Sequence, residues 1–197
     1  MKALNTENLK ALLLCAGKKD VRYYLNGVYF TQDKLGNQVA VATDGHKILV
    51  LPIHHGLKDV LLSRDSLEKL VKSAKKGAPL KLQALTDDKS TDRYVGSVGD
   101  SSDYITMHKV DGTFPDWCRV VTYPTSQEAE TSFYNPSILL EAVKIADLVS
   151  MGNKNRAVMI NNGVCTFAGE GNEIYLKFMP VTVKVADVVG FSWLSTS

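Results

Sequence analysis

Apolar and polar residues form a pattern that occurs three times along the chain: a stretch with helical spacing is followed by short strand-like runs. In the first unit, apolar residues three and four positions apart predict a helix, namely Leu9, Leu12, Leu13 and Ala16. We expect Asn5 or Thr6 to cap the start of this helix and Gly17 to end it. Residues 21–30 then have the composition of a β-strand.

The first unit continues with a predicted hairpin. Residues 38–43 and 46–51 are two short apolar runs on either side of Asp44-Gly45. An Asp-Gly pair favours a two-residue turn, because such a turn needs positive φ angles. A hairpin turn is also the preferred interpretation of Asp44 and His46. The alternative, an acid–base pair of a hydrolase, lacks a serine or cysteine nucleophile in a recognisable motif.

The second unit begins with the apolar run of residues 60–62, followed by Ser63 as a helix cap. An apolar stripe predicts its helix, namely Leu67, Leu70, Val71 and Ala74. Three lysines share the opposite side, namely Lys69, Lys72 and Lys76. A solvated helix face is the default interpretation of these lysines, and a face turned to a phosphate backbone is the alternative. Gly77 and Pro79 end the helix, and the predicted strands that follow are residues 79–85, 93–98 and 104–109.

An irregular stretch, residues 110–130, predicts loop and linker before the third unit. Asn135 is expected to cap a helix that has Pro136 at its first position and ends at Gly152. Its predicted apolar face comprises Ile138, Leu139, Ala142, Val143, Ala146 and Val149. The predicted strands are residues 157–160, 164–168 and 174–179. Three units, each a helix followed by strands, indicate an α+β fold with mostly antiparallel sheet.

Composition limits the function classes. Hydrophobic residues make up 45% and charged residues 22% of the 197 residues, which is ordinary for a globular protein. The net charge of +2 is small, but the first two thirds of the chain are basic and the last third is acidic. Any contact with a polyanion is therefore expected in the first two thirds.

Cysteine and histidine usage predicts no cofactor chemistry. The three cysteines are widely spaced and form neither a disulfide framework nor a zinc motif, so a reducing, cytoplasmic location is expected. His54-His55 is expected in a surface turn rather than a metal site, because neighbouring strand residues point to opposite faces. No apolar run reaches the roughly 20 residues of a membrane helix. Nothing in the sequence requires an enzyme, a metal or a cofactor.

Several segments carry a family resemblance. Residues 20–27 (DVRYYLNG), 41–48 (VATDGHKI) and 110–120 (VDGTFPDWCRV) resemble, in order, segments of the DNA polymerase III beta subunit, the bacterial sliding clamp. Residues 133–137 (FYNPS) and 178–181 (FMPV) resemble parts of the last clamp domain. The resemblance covers about residues 1–183 and implies a DNA-clamp-like fold.

The resemblance also implies a domain organisation. Clamp domains consist of two similar halves, so the three units correspond to three half-units. Residues 1–121 resemble the middle domain, residues 122–130 a linker, and residues 131–183 the second half of the last domain, with a tail at residues 184–197. The first domain and half of the last have no counterpart, so the usual head-to-tail ring cannot form in the same way. A homo-oligomer of this chain is expected to take its place.

In the family, a groove between the middle domain and the last half-domain binds short motifs of polymerases and repair proteins. The resemblance assigns one wall of this groove to Leu25, Thr43, Gly45, His46, Lys47, Ile48, Pro115, Arg119 and Val120. It assigns the opposite wall to Asn135, Ile138, Val164, Thr166, Phe178, Met179, Pro180, Val181 and Thr182. Most of these residues suit an apolar channel for an extended peptide. Ordinary core packing is the alternative, and it explains Leu25 and Ile48 well.

Clamp helices face double-stranded DNA, without sequence specificity, through basic residues. That role would fall here to Lys10, Lys69, Lys72, Lys76 and Lys144, although the third helix also carries Glu141 and Asp147. The first hypothesis is thus a clamp-like protein of DNA replication and repair that binds clamp-binding motifs, as a minimal oligomeric processivity clamp. The alternative is a regulatory or competitor module of a phage or mobile element that sequesters clamp partners without encircling DNA.

Overall fold

The computed structural model describes residues 2–86, 92–121, 134–149, 158–161, 163–167 and 174–179. Three α-helices lie within these residues: α1 (Thr6–Cys15), α2 (Arg64–Ser73) and α3 (Pro136–Val149). Short 3₁₀ turns occur at Tyr23–Leu25 and Trp117–Arg119. No helix in the described part of the chain is both long and apolar enough to span a bilayer.

Eleven strands accompany these helices in the described ranges. The first unit contains β1 (Lys2–Ala3), β2 (Gly27–Gln32), β3 (Gln38–Thr43) and β4 (Lys47–His54). The second unit contains β5 (Val60–Ser63), β6 (Leu80–Thr86), β7 (Asp92–Val98) and β8 (Ile105–Met107). The third unit contains β9 (Val158–Asn161), β10 (Val164–Phe167) and β11 (Tyr175–Phe178).

The larger sheet runs through the first and third units and also includes β5 of the second unit. Its strand order is β5-β2-β3-β4-β11-β10-β9, all antiparallel, and β1 pairs parallel to β4. The third unit joins the first where β11 pairs with β4, with Tyr175 opposite Val50 and Lys177 opposite Ile48. Backbone hydrogen bonds between β11 and β4 therefore join the third unit to the first.

A smaller sheet, β6-β7-β8, belongs to the second unit. The amide of Leu80 donates to the carbonyl of Leu4 at 2.9 Å, and the amide of Arg64 donates to the carbonyl of Asn26 at 2.9 Å. The first and second units thus interlock through their backbones at both ends of α2.

The two faces of the larger sheet bury different clusters. Ala40, Ala42 and Leu49 face the helices, in a core that also contains Leu12 of α1 and Ile145 of α3. The alternate positions pack on the other face, in a second cluster completed by the loop residue Phe114: Val39, Val41, Ile48 and Val50. Period-two alternation of apolar residues on both faces explains why β3 and β4 are apolar throughout.

The predicted α+β class, the three helices and most of the strands are confirmed. Asn5 caps α1, its side-chain oxygen accepting the amide hydrogen of Asn8 at 2.8 Å, and Ser63 caps α2 in the same way. At the other end of α1, the guanidinium of Arg64 donates to the carbonyls of Leu13 and Ala16, so α1 ends at Cys15.

Some boundaries were wrong. The strand predicted at residues 21–30 begins only at Gly27, after the 3₁₀ turn, and Val21 is 94% exposed. The hairpin turn is longer than two residues, since Thr43 pairs with Ile48. The apolar face of α3 contains Ile145 rather than Val143, which is 53% exposed. The predicted end of α3 at Gly152 lies outside the described residues.

Candidate functional site

A groove of about 480 Å³ opens on the face of the larger sheet that is remote from the helices. Four segments converge on it: the turn around residues 22–25, the β3–β4 hairpin, the loop at residues 114–120 and the end of β11. Its lining is mainly apolar and includes Leu25, Ile48, Phe114, Trp117, Val120 and Met179. The first and third units thus both contribute to one apolar concavity.

The β3–β4 hairpin forms one side of the groove. The carboxylate of Asp44 accepts the amide hydrogens of His46 at 2.9 Å and Lys47 at 3.0 Å. The hydroxyl of Thr43 donates to the carbonyl of Lys47 at 2.7 Å and accepts the amide hydrogen of Gly45 at 3.0 Å. Gly45 has a φ of 89°, which favours glycine. The turn interpretation of Asp44 and His46 is therefore the one that the geometry supports.

Arg22 holds this hairpin from the neighbouring turn. Its guanidinium donates to the carbonyl of Asp44 at 3.0 Å and to the carboxylate of Asp20 at 2.8 and 3.0 Å. The hydrogen bond from Arg22 lowers the pKa of Asp20 to about 2. A permanently charged donor thus lies at the rim of an otherwise apolar groove.

Aromatic residues form the opposite wall. Phe114 is buried and stacks on Tyr29 of β2, with ring centroids 4.9 Å apart and planes at 17°. Such offset stacking fixes the loop against the sheet. Trp117 then begins the 3₁₀ turn that carries the loop to Val120, whose side chain is 44% exposed.

The third unit closes the groove through β11. The amide of Met179 donates to the carbonyl of His46 at 2.8 Å, which joins the end of β11 to the hairpin. The hydroxyl of Tyr175 donates to the carbonyl of Val120 at 3.3 Å, which joins β11 to the aromatic loop. Met179 is 56% exposed, so an apolar side chain remains available at the mouth of the groove.

Lys47 connects the hairpin to α3. Its ammonium group lies 2.6 Å from the carboxylate of Asp44 and 2.8 Å from that of Glu141, while its side chain is only 10% exposed. Burial on its own lowers the pKa of Lys47, but the hydrogen bonds to Asp44 and Glu141 outweigh it and raise the pKa. The lysine is therefore a charged structural link, and its ammonium group is already paired.

Known proteins resemble this chain in sequence over part of their length. No family model matches it. It is 31% identical over 148 residues to the beta sliding clamp of Proteus mirabilis, covering 73% of this chain and 37% of that protein. It is 34% identical over 119 residues to the beta sliding clamp of Escherichia coli K12, covering 57% of this chain and 30% of that protein. The chain thus spans about a third of the length of these curated relatives.

Solved structures extend the likeness to 92% of the chain. DNA polymerase III subunit beta from Borrelia burgdorferi matches with a TM-score of 0.64 at 12% identity, over 64% of its own length. The corresponding subunit from Pseudomonas aeruginosa matches with a TM-score of 0.63 at 16% identity, over 67% of its own length. The fold is that of a sliding clamp. The resemblance recognised in the sequence motifs is confirmed, and this chain matches the sliding clamps over part of their length.

Within this sliding-clamp fold, ten of the assigned groove residues lie together around the cavity: Leu25, Thr43, Gly45, His46, Lys47, Ile48, Pro115, Val120, Phe178 and Met179. Five residues that the sequence assignment did not include also line it: Arg22, Tyr24, Phe114, Trp117 and Lys177. Four of these five residues, all except Lys177, lie within the clamp-like motifs of residues 20–27 and 110–120, so the motifs already indicated them.

Other assigned residues lie apart from the cavity lining. Asn135 caps α3, its side-chain oxygen accepting the amide hydrogen of Ser137 at 3.0 Å. Ile138 packs against the main core, and Val164 is buried in the second cluster with Ile48. Arg119 is exposed in its 3₁₀ turn. Thr166 pairs through its backbone with Met159, and Pro180, Val181 and Thr182 lie outside the described residues.

The lysines assigned to DNA lie on the helix side of the sheet. Lys10 on α1 and Lys72 on α2 border one shallow depression between the helices, and Lys10 lies 3.8 Å from Glu7. Lys69, Lys72 and Lys144 are exposed, and Lys76 is exposed just beyond the end of α2. The three helices therefore present a shared surface with both basic and acidic residues.

The adjacent histidines differ in environment. His54 is exposed, whereas His55 is buried and hydrogen-bonded to the carbonyl of Val39 at 3.2 Å. The expected surface turn is thus wrong for His55, which belongs to the core. Among the residues that the structure describes, no cluster of three or more potential metal ligands occurs.

Proposed function

We propose that the chain is a sliding-clamp-like protein of DNA replication and repair, whose groove binds extended peptide segments of polymerases and repair proteins. The supporting observation is the groove itself, because two separate units of the chain meet there around a mainly apolar cavity. Apolar side chains at its mouth, such as Met179 and Val120, are exposed although neighbouring apolar residues are buried. A peptide would cover them with side chains at alternate positions.

The polar groups at the rim of the groove also suit an extended peptide. Arg22 offers a charged donor at one side, and His46 is exposed at the turn of the hairpin. Lys47 is already paired with two carboxylates, so it contributes shape and rigidity to the groove rather than a free charge. A few polar groups around an apolar channel are enough to fix the direction of a bound chain.

The groove is tested by fluorescence anisotropy with a labelled peptide that carries the clamp-binding motif of a bacterial replicative polymerase. Wild type should bind, and Met179→Ala should weaken binding by about tenfold, the size of a hot-spot truncation. His46→Ala should weaken it less. Leu85→Ala is the matched control, since Leu85 is 46% exposed on β6, away from the groove, and should bind like wild type. No binding by wild type contradicts the proposal.

We further propose that residues 1–121 and 131–183 act as two clamp-like parts joined by residues 122–130, and that the helix surface faces duplex DNA. The support is that Lys10 and Lys72 border one depression between α1 and α2. Contacts of this kind are non-specific and depend on salt.

A labelled duplex of mixed sequence tests the helix surface. The double variant Lys69→Ala/Lys72→Ala should bind more weakly, and the slope of log affinity against log salt should become shallower by about two. Lys34→Ala/Lys58→Ala removes two exposed lysines elsewhere and should leave the slope unchanged. Retention on circular but not on linear DNA indicates encirclement. Peptide binding without DNA retention favours the alternative module that sequesters clamp partners.

A further inference from the structure

We propose that Lys177 makes the groove selective for partner peptides that carry an acidic side chain two residues away from an apolar one. This inference rests on the proposed function, because it names the chemistry of the peptide that the same groove binds. It concerns a residue that lies outside the clamp-like motifs and outside the groove assignment made from the sequence.

Lys177 is a charged residue at an apolar position of β11. Its cross-strand neighbours are Ile48 on β4 and Val164 on β10, both buried in the second cluster. Tyr175 packs in the same cluster, whereas Leu176 lies in the core beneath the helices. Alternation along the strand therefore directs Lys177 to the face that carries the groove, and Lys177 lines the cavity. An ammonium group among apolar neighbours costs desolvation energy, and such local inconsistencies concentrate at functional positions.

The ammonium group of Lys177 lies between β11 and the loop that carries the aromatic wall. It donates to the carbonyl of Val120 at 3.4 Å, and the hydroxyl of Tyr175 donates to the same carbonyl at 3.3 Å. A carbonyl oxygen carries no net charge, so this contact orients the ammonium group without neutralising it. An ammonium group has three donor hydrogens, so the contact with Val120 is compatible with a further hydrogen bond to a ligand.

The charged side chains in the described lining of the groove are all cations, namely Arg22, Lys47 and Lys177. The carboxylates that pair with the first two lie outside this lining, namely Asp20, Asp44 and Glu141. These ion pairs thus present their positive ends to the groove. A carboxylate of a bound peptide would be attracted there, and a basic side chain would be repelled.

Met179 sets the spacing of the acidic residue. It continues the alternation of β11 beyond Lys177, and its apolar side chain is 56% exposed at the mouth of the groove. Two strand residues span about 6.6 Å, and side chains on one face of an extended peptide repeat at the same distance. A peptide with an apolar side chain against Met179 therefore brings a carboxylate two residues away to Lys177, in either chain direction.

The test is fluorescence anisotropy with pairs of labelled polymerase-motif peptides that differ only in Glu or Gln two residues before or after an apolar residue. At one of these two placements, wild type should bind the Glu peptide about fivefold more tightly, as for a partly exposed charge pair. The preference should shrink at high salt, because mobile ions screen the attraction. Lys177→Met should bind both peptides alike, Lys177→Arg should keep the preference, and Lys177→Glu should reverse it.

Lys34→Met is the matched control, since Lys34 is exposed in the turn between β2 and β3 and should retain the wild-type preference. The salt dependence of wild type tests the charge without any substitution. If Lys177 only braced the loop at Val120, Lys177→Met would weaken both peptides by the same factor, and that result overturns the proposal. Equal binding of the Glu and Gln peptides by wild type at both placements also overturns it, but leaves the groove proposal standing. Absence of binding by every peptide overturns both proposals.

Discussion

Lys47 and Glu141 form an ion pair of 2.8 Å that links the β3–β4 hairpin of the first unit to α3 of the third. The same ammonium group lies 2.6 Å from Asp44, within the hairpin turn. One side chain thus stabilises both the turn that borders the groove and the attachment of the third unit. The backbone pairing of β4 with β11 joins the same two units within the sheet.

Removing either partner should destabilise the protein. Lys47 is largely buried and Glu141 is 36% exposed, so the pair lies between the exposed and buried classes of salt bridge. We expect Lys47→Met and Glu141→Gln each to lower the free energy of unfolding by about 1–2 kcal/mol. In a double-mutant cycle measured by urea unfolding, the coupling should be about 1 kcal/mol.

Lys81→Met is the control for this pair. Lys81 forms an ion pair with Asp100 in which both side chains are exposed, so its loss should leave the urea midpoint unchanged. Additive losses for Lys47→Met and Glu141→Gln would show that the two residues act independently, contrary to the geometry.

Gly45 should matter for the groove as well as for stability. Its φ of 89° strains any other residue, and a Cβ there would lie 2.7 Å from the guanidinium of Arg22. Gly45→Ala should therefore cost about 1 kcal/mol of stability. The flexible Arg22 would move away, and peptide affinity should fall by roughly three- to tenfold, as for one lost hydrogen-bonding group.

Gly36→Ala is the matched control. Gly36 has a φ of 83° in the β2–β3 turn, and a Cβ there meets no atom within 4 Å. Urea unfolding should give a similar loss of stability for both variants, whereas anisotropy should show weaker peptide binding only for Gly45→Ala. Equal affinities would mean that Arg22 does not contribute to the groove.

His55 should make stability depend on pH. Burial lowers the pKa of His55, and its ring accepts the amide hydrogen of Leu57 at 3.1 Å, which requires a neutral nitrogen. The unfolded chain therefore binds a proton more readily than the folded chain near the ordinary histidine pKa of about 6.5. The stability due to neutral His55 is full above that value and is lost as pH falls through it towards the lower folded pKa.

Urea midpoints at about pH 7.5 and about pH 5.5 measure this effect. His55→Gln should be less stable at the higher pH and should lose less stability on acidification than wild type. His54→Gln, a change at the exposed neighbour, should keep the wild-type loss. If His55→Gln lost as much stability on acidification as wild type, groups other than His55 would cause the pH dependence.

The sequence predicted the regular elements because their determinants are local. Asn5 caps an amide only three residues further along the chain, and the apolar runs of β3 and β4 each consist of consecutive residues. The stretch before β2 misled the prediction, since the side chain of Asn26 accepts from the amide of Asp20 at 2.9 Å and donates to its carbonyl at 2.8 Å. Such hydrogen bonds from a side chain to the backbone close a loop, but the spacing of apolar residues does not reveal them.

The groove was predicted through the family motifs rather than from periodicity. Phe114 and Trp117 lie within the motif of residues 110–120, but only the structure shows Phe114 stacked on Tyr29. The face of α3 could not be predicted in the same way. Whether Val143 or Ile145 is buried depends on where α1 packs, and that is a tertiary relationship.

The cysteines offer a probe of the groove in solution. Burial raises the pKa of Cys15, and it raises the pKa of Cys165 to about 12, so both thiols should react slowly at neutral pH.

Cys118 is only half-buried, next to the groove residue Trp117. A thiol-reactive chromogenic disulfide should therefore label one equivalent quickly in the native protein, and Cys118→Ser should remove that fast phase. Bound peptide should slow the labelling of Cys118, because it would cover the turn that carries both residues. Fast labelling of all three thiols would contradict the packing around Cys15 and Cys165.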